Sequence, residues 1–262
     1  MDRSTGLTLT AIPGIPLVTR GSDIVGLILA ALSSQELSLC SGDVLVITQK
    51  IVSKSEGRMI NLCDVEPGER AVELARKTAK DPRLIELVLS ESTEVVRAVD
   101  ELIIVAHRLG LVLANAGIDA SNVGPQDPVE QVVLLPEDPD QSAREYRARI
   151  RRETDTDIGV IINDSVGRAW RMGTVGLAIG VAGVQALEDH RGKLDLFGVP
   201  LKASEEAVAD ELASAASLLQ GQAGEDSPVV LIRGYKRATD EQSAATLIRP
   251  RDQDLFLSLI HI

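Results

Sequence analysis

Apolar and polar positions alternate along "GLTLTAIPGIPLV" and then break at two prolines, the pattern of a strand entering a rigid loop. In "SDIVGLILAALSS" the residues Ile24, Leu27, Ile28, Ala31 and Leu32 fall at helical spacing, with Ser22 or Asp23 as the cap. "GDVLVITQKIVSKSEG" reads as a buried strand running into a polar loop. "GERAVELARKTAKDPRLIELVLSES" predicts helix, broken at Pro82. Short strands are expected around "EVVRAV", "LIIVAHRLGLVLANAG" and "VVLL". "DPDQSAREYRARIRRETD" opens a helix with Asp138 as cap, Pro139 at the first position and Gln141 completing a capping box. "DIGVIIND" is a continuously apolar strand carrying Asp164 at its C-terminal end. "SEEAVADELASAASLLQGQ" predicts a helix capped by Ser204, with Val208, Leu212, Ala215 and Leu219 as its core stripe and Gly221 closing it. "PVVLIRG" is the last strand.

Helices and strands are thus interleaved, while several neighbouring strands are joined by short loops. That predicts an α+β chain with mixed sheets rather than a doubly wound one. Residues 1–262 read as a single domain, with a weak internal boundary in the "LPEDPDQ" loop, near 136–142.

Composition narrows the function. Of 262 residues 44% are hydrophobic but only 2% aromatic, so a bound base is not expected to rest on an aromatic stack. Acids outnumber bases 39 to 27, a net charge of −12, which argues against nucleic acid or an anionic membrane as partner. Cys40 and Cys63 stand far apart and are expected as small core residues in a reducing compartment. No signal peptide or membrane span is read, so a cytoplasmic protein is expected. Phosphate-loop, dinucleotide, nucleophile-elbow and zinc-protease motifs are all absent, and the three histidines are scattered.

What remains are polar residues at the ends of apolar strands. Lys50 and Lys54, with Thr48, Gln49 and Ser53 beside them, could cradle a phosphate. Read alone, that stretch is better explained as a solvated loop. "ANAGIDASNVG" offers oxygen ligands in Asn115, Asp119 and Asn122, although Asn and Asp are equally ordinary turn formers. "NDSVGRAWR" sets Asp164 and Ser165 ahead of Arg168 and Arg171. Asp119 and Asp164 could share a Mg²⁺ or Mn²⁺ ion with Ser165 on a second, while a helix cap and surface charges are the plainer reading. Gly173, Gly176, Gly180 and Gly183 suggest close backbone packing, including across a subunit interface. Gln222, Glu225 and Asp226 place three oxygen donors in the loop after the last helix.

Taken in order, "IPGIP", "SGDVLVITQKIVSKSEGR", "HRLGLVLANAGIDASNVG", "INDSVGRAWRMGTVGLAIGVAG", "PVVLIRG" and "LIRPRDQDLF" resemble the F420 gamma-glutamyl ligase family, in its stand-alone form, over essentially the whole chain. The resemblance implies a GTP-dependent ligase that adds L-glutamate to coenzyme F420-0 by way of an acyl phosphate. It also implies two divalent ions, Mn²⁺ or Mg²⁺, help from K⁺, and a homodimer of intertwined α+β subunits. Carried over by motif, Ile12, Pro13, Gly14 and Ile15 would lie along GTP, with Gln49 and Lys54 near its phosphates and Asn122 on the nucleotide. Asp119 and Asp164 would share the first metal, and Ser165 and Gln222 would meet the second. The loop formed by Gln220, Gly221, Gln222, Ala223, Gly224, Glu225, Asp226 and Ser227 would contact GTP. Lys54, Arg168 and Arg171 would stabilise the transferring phosphoryl group. Ser165 stands where the family usually has Thr, Gln222 where Glu is common, and Gln49 where Ser or Thr is frequent. The competing readings are a ligase for another acceptor, a metal-dependent nucleotide hydrolase and a non-catalytic GTP-binding regulator.

Overall fold

A computed structural model describes residues 6–120, 130–235 and 241–254. In chain order the elements are β1 (Thr8–Ala11), α1 (Ile24–Ser34), β2 (Val44–Thr48), α2 (Gln49–Glu56), β3 (Met59–Asn61), α3 (Glu69–Thr78), α4 (Pro82–Ser90), β4 (Ser92–Val99) and β5 (Leu102–His107). There follow β6 (Val112–Ala114), β7 (Gln131–Val133), α5 (Pro139–Thr154), β8 (Gly159–Arg168), β9 (Arg171–Ala182), β10 (Glu188–Asp189), β11 (Glu205–Glu206), α6 (Val208–Gln220) and β12 (Val229–Arg233). The expected mixed α+β class is what is found.

The main sheet has the order β1-β12-β2-β8-β9, with β2 and β8 parallel and the other pairs antiparallel. Its central strands are uninterrupted apolar runs because both faces are covered. On one face Leu45, Ile47, Val160 and Ile162 pack against Ile28 and Leu32 of α1 and Ile150 of α5. On the other, Val44, Val46 and Ile161 meet Ala209, Leu212 and Ala216 of α6. A second core lies between α3 and α4 and the sheet β4-β5-β6, around Leu74, Ile85, Ile103 and Val105. The 136–142 stretch follows β7 and leads the chain back to the main sheet through α5.

Two caps form as the residues dictate: Asp23 accepts from Gly26 N at 3.0 Å and Asp138 from Gln141 N at 2.9 Å. Pro82 opens α4, with Asp81 as its cap. Several expectations need correction. The "QKIVSKSE" stretch is helix, not loop; its buried side carries Gln49 and Ser53, which hydrogen-bond each other at 2.9 Å, so polar residues hide the amphipathic period. Helix α6 starts at Val208, because Glu205 and Glu206 are drawn into a bridge with Asp189 and Glu188 instead of following a Ser204 cap. Its buried stripe is Val208, Ala209, Leu212, Ala213 and Ala216, which leaves Ala215 half-buried and Leu219 exposed. Cys40 and Cys63 are both exposed, and Cys63 Sγ lies 3.0 Å from Glu130.

Strand β8 also outruns its expected end. It continues past Asp164 to Arg168 and forms a long hairpin with β9, so Asp164 sits within a strand. The glycines of β9 make the close packing possible. A Cβ on Gly176 would collide with the Ala213 carbonyl of α6, and one on Gly180 with the Pro139 carbonyl of α5. Both neighbours belong to the same chain. Gly176→Ala should therefore destabilise the fold by about 1–3 kcal/mol. Gly167→Ala, with nothing within 4 Å, should change it by less than about 0.5 kcal/mol. Urea unfolding of the two variants compares them directly.

One buried carboxylate ties the second core to the first. Glu91 receives Arg58 at 2.7 Å and Arg108 at 3.0 Å, with His107 at 3.5 Å. Both arginines also bind the chain that leads into α5: Arg58 donates to the Leu135 carbonyl, and Arg108 to those of Pro136 and Glu137. Burial pushes the Glu91 carboxyl upward, but the close approach of His107 and Arg58 and the two guanidinium charges outweigh it and hold it at about 2. A depressed carboxylate contributes stability above its unfolded value, and that contribution is lost as pH falls toward 2. Glu91→Gln should cost about 3 kcal/mol at neutral pH by leaving the partly buried Arg58 and Arg108 without their counter-charge. It should also flatten the loss of stability between pH 4.5 and 2, as read by acid titration at fixed urea.

Candidate active site at one end of the main sheet

Register alone brings four segments together. Thr48 at the end of β2 pairs with Asn163 of β8, and its N–H donates to the Pro228 carbonyl at 2.9 Å. The Ile12 N–H donates to the Val229 carbonyl at 2.9 Å. The 12–15 loop, the start of α2, the Asn163–Ser165 stretch and the loop before β12 therefore share one edge. It is the carboxyl end of the parallel pair, where open α/β sheets leave room for a ligand.

Its cap residue, Thr48, makes no side-chain hydrogen bond to the first turn of α2, so the cap leaves this helix start to other partners. Lys50 and Lys54 lie one turn apart on this helix. Lys50 Nζ is 2.6 Å from Asp119 Oδ2, both side chains being largely buried. Asp119 is anchored by two backbone hydrogen bonds to Val133, at 2.9 and 2.8 Å. Burial lowers the Lys54 amine; the charge of Lys50 adds to this and that of Asp119 opposes it.

Asp164 completes the group. Burial raises its carboxyl to about 6, helped by the negative charge of Asp119. A hydrogen bond from the Ser165 backbone, the Lys50 charge and a hydrogen bond with Gln49 pull the other way. Alternation along β8 turns Asp164 and Ser165 to opposite faces. Ser165 accepts from the Gln222 side-chain amide at 2.8 Å. The structure thus makes two groups of the expected metal residues: Asp119 with Asp164, and Ser165 with Gln222.

Other expected residues fall into place unevenly. Ile12 and Ile15 are buried in the core and Pro13 and Gly14 exposed, so this loop offers a ligand mostly backbone. The Gln220 amide is taken up by Asn163, in a reciprocal pair at 2.8 and 3.2 Å, and by the Val46 and Pro228 carbonyls. It positions the loop rather than facing outward. In that loop Gly221 has φ +71°, and the Glu225 carboxylate folds back to accept from Ala223 N at 2.8 Å. Gly224, Asp226 and Ser227 follow toward β12. Asn122 lies outside the described residues. Arg168 and Arg171 are not brought to the carboxylates: they occupy the tip of the β8–β9 hairpin beside exposed Trp170 and Met172, and Arg168 donates to the Gly173 carbonyl. From Asp164, Arg168 is about 13 Å away along an extended strand.

The pattern did not single out Asn163 for a role, and it gave Lys50 only a phosphate to meet. Asn163 had a legible signal, a polar residue ending an otherwise apolar run. The partner of Lys50 was invisible, since Asp119 is far off in sequence.

The donor set suits a hard divalent cation: two carboxylates, a hydroxyl and an amide oxygen, with no thiol or imidazole. Asn115 Oδ1, on the turn before Asp119, is in addition buried without a hydrogen-bond partner. A separate group with metal-ligand geometry, Glu188, His190 and Glu206, lies on the β10–β11 hairpin, where Lys193 already binds Glu188 and His190.

Residues 14–234 match the model of the family described as F420-0:Gamma-glutamyl ligase. The chain belongs to that family. It is 44% identical over 255 residues to the coenzyme F420:L-glutamate ligase of Methanothermobacter thermautotrophicus, covering 96% of this chain and 99% of that one. The enzyme of the same name from Methanopyrus kandleri is 45% identical over 258 residues, with the same coverage, and that of Archaeoglobus fulgidus 42% over 245, covering 93% and 94%. Membership makes this chain an enzyme of the ligase class. Among the described residues no helix is long and apolar enough to cross a membrane.

An acid whose folded pKa is raised destabilises the fold as pH rises from its unfolded value through its folded one. Metal-free Asp164→Asn protein should therefore melt higher than the wild type at pH 7.5 and equal to it near pH 4, at the bottom of the window from 3.8 to about 6. Thermal melts in the presence of a chelator test this.

Proposed function

We propose that this ligase adds L-glutamate to the deazaflavin coenzyme F420-0 through a γ-linked amide, driven by GTP and passing through an acyl phosphate. The relatives' shared name supplies the amino acid and the coenzyme. The observation that carries the phosphoryl chemistry is the uncapped start of α2, with Lys54 on the helix and the Asp119–Asp164 pair facing it. An acceptor carboxylate oxygen attacks the γ-phosphorus and GDP leaves. The glutamate amine then attacks the acyl carbon, phosphate departs and the nitrogen loses a proton.

Each residue has a part in this reading. The α2 amides and Lys54 hold the phosphates and stabilise the charge that develops on transfer. Gln49 hydrogen-bonds Asp164 and keeps that carboxylate in place. The exposed backbone at Pro13 and Gly14 and the loop 220–227 flank the nucleotide, with Asn122 beside it. Asp119 and Asp164 would hold one Mn²⁺ or Mg²⁺ ion, and Ser165 and Gln222 a second; such ions, when bound, neutralise phosphate charge. K⁺ rests on the family resemblance alone. Arg168 and Arg171, at the hairpin tip, fit an anionic part of the acceptor better than the phosphoryl group. Exposed Trp170, Met172, Leu196 and Phe197 support a homodimer.

The decisive assay is mass spectrometry of F420-0 after incubation with protein, GTP, Mn²⁺ and L-glutamate. The expected result is a glutamyl increment with stoichiometric GDP, and a fall of about 100-fold or more in rate for Asp164→Asn. GDP without the increment would favour the hydrolase, and bound GTP without turnover the regulator.

A further inference from the structure

The Lys50–Asp119 contact bears on how the metal site fills, an inference that rests on the proposed assignment of Asp119 and Asp164 to that site. The two acids come from different parts of the chain, Asp119 from the turn after β6 and Asp164 from β8. Their charges oppose each other in a poorly solvated place. Lys50, in the first turn of α2, touches Asp119 at 2.6 Å. The ammonium therefore sits on the Asp119 carboxylate as its counter-cation.

We propose that Lys50 is a built-in placeholder for the divalent ion, displaced from Asp119 when the metal binds and handed to the nucleotide phosphates at the start of α2. A divalent ion sits about 2.0–2.2 Å from its carboxylate oxygens. An ammonium held on the same carboxylate would then lie a few ångströms from a dication with little water between them. The Lys50 stem is flexible and rooted at the start of α2, which the Thr48 side chain does not cap, so an anion arriving there offers it a new partner. The placeholder keeps the two carboxylates from repelling each other in the empty protein. It also couples the ligands: metal frees the lysine for phosphate, and phosphate removes the competitor of the metal.

Mn²⁺ binding followed by electron paramagnetic resonance, first without nucleotide and then with GDP, tests the inference on wild type, Lys50→Met, Lys50→Arg and Asp164→Asn, each checked for folding by circular dichroism. Lys50→Met should bind Mn²⁺ about tenfold more tightly than the wild type, and Lys50→Arg no more tightly. GDP should tighten Mn²⁺ binding in the wild type and much less in Lys50→Met. Crystals of the wild type soaked in Mn²⁺ should show Lys50 Nζ withdrawn from Asp119. Unchanged or weaker Mn²⁺ binding by Lys50→Met, or a retained Lys50–Asp119 contact beside a bound ion, would overturn the placeholder. If Asp164→Asn binds Mn²⁺ as the wild type does, the metal assignment itself fails, and the placeholder with it.

Discussion

Parallel pairing of β2 with β8 sets Thr48 beside Asn163, and the geometry of the candidate site depends on that register. With the strands running the same way, the helix that leaves β2 and the acid carried by β8 emerge at the same edge. An antiparallel pairing would send them to opposite ends. A slip of one residue would turn Asp164 toward α6 and away from Lys50 and Asp119. The register is held by burial on both faces and, at the edge itself, by the reciprocal amides of Asn163 and Gln220. That pair also draws in the loop before β12.

Charge is organised around this frame in two layers. The inner layer is the Asp119–Lys50–Asp164 group, in which burial works against ionisation and the lysine works for it. The outer layer is the Glu91 cluster, whose arginines grip the carbonyls of Leu135, Pro136 and Glu137. Those residues adjoin Val133, the strand position to which Asp119 is pinned. Glu91 contacts no group of the site, yet it steadies the backbone that presents one of its acids. The two layers face opposite electrostatic demands: Glu91 is oversupplied with cations, whereas Asp164 is left short of them.

Much of this was legible before the fold was known. The apolar runs of β2 and β8, the caps at Asp23 and Asp138, the break at Pro82 and the strand "PVVLIRG" all announce themselves through local chemistry. The errors share one cause, which is that the partner answering a local pattern was not visible in the pattern itself. Gln49 and Ser53 are polar yet buried, because they satisfy each other under the sheet edge. Glu205 and Glu206 would suit a helix start but pair with the preceding strand, β10. Strand β9 hid behind its glycines, whose absent side chains make room for the backbones of α5 and α6.

By itself the sequence determined the residue types of the site: two acids, two lysines, a hydroxyl and a glycine-flanked loop, spread over more than a hundred positions. It also determined the mixed α+β class, because strand and helix periods are properties of short windows. Only the tertiary structure decided which of these residues meet. It joined Asp119 to Lys50 and Ser165 to Gln222, and it left Arg168 and Arg171 on a hairpin tip. The physical reason is that burial and charge act through space. A carboxylate acquires its ionisation and its partner from whatever the sheet register sets beside it, and no local window records that.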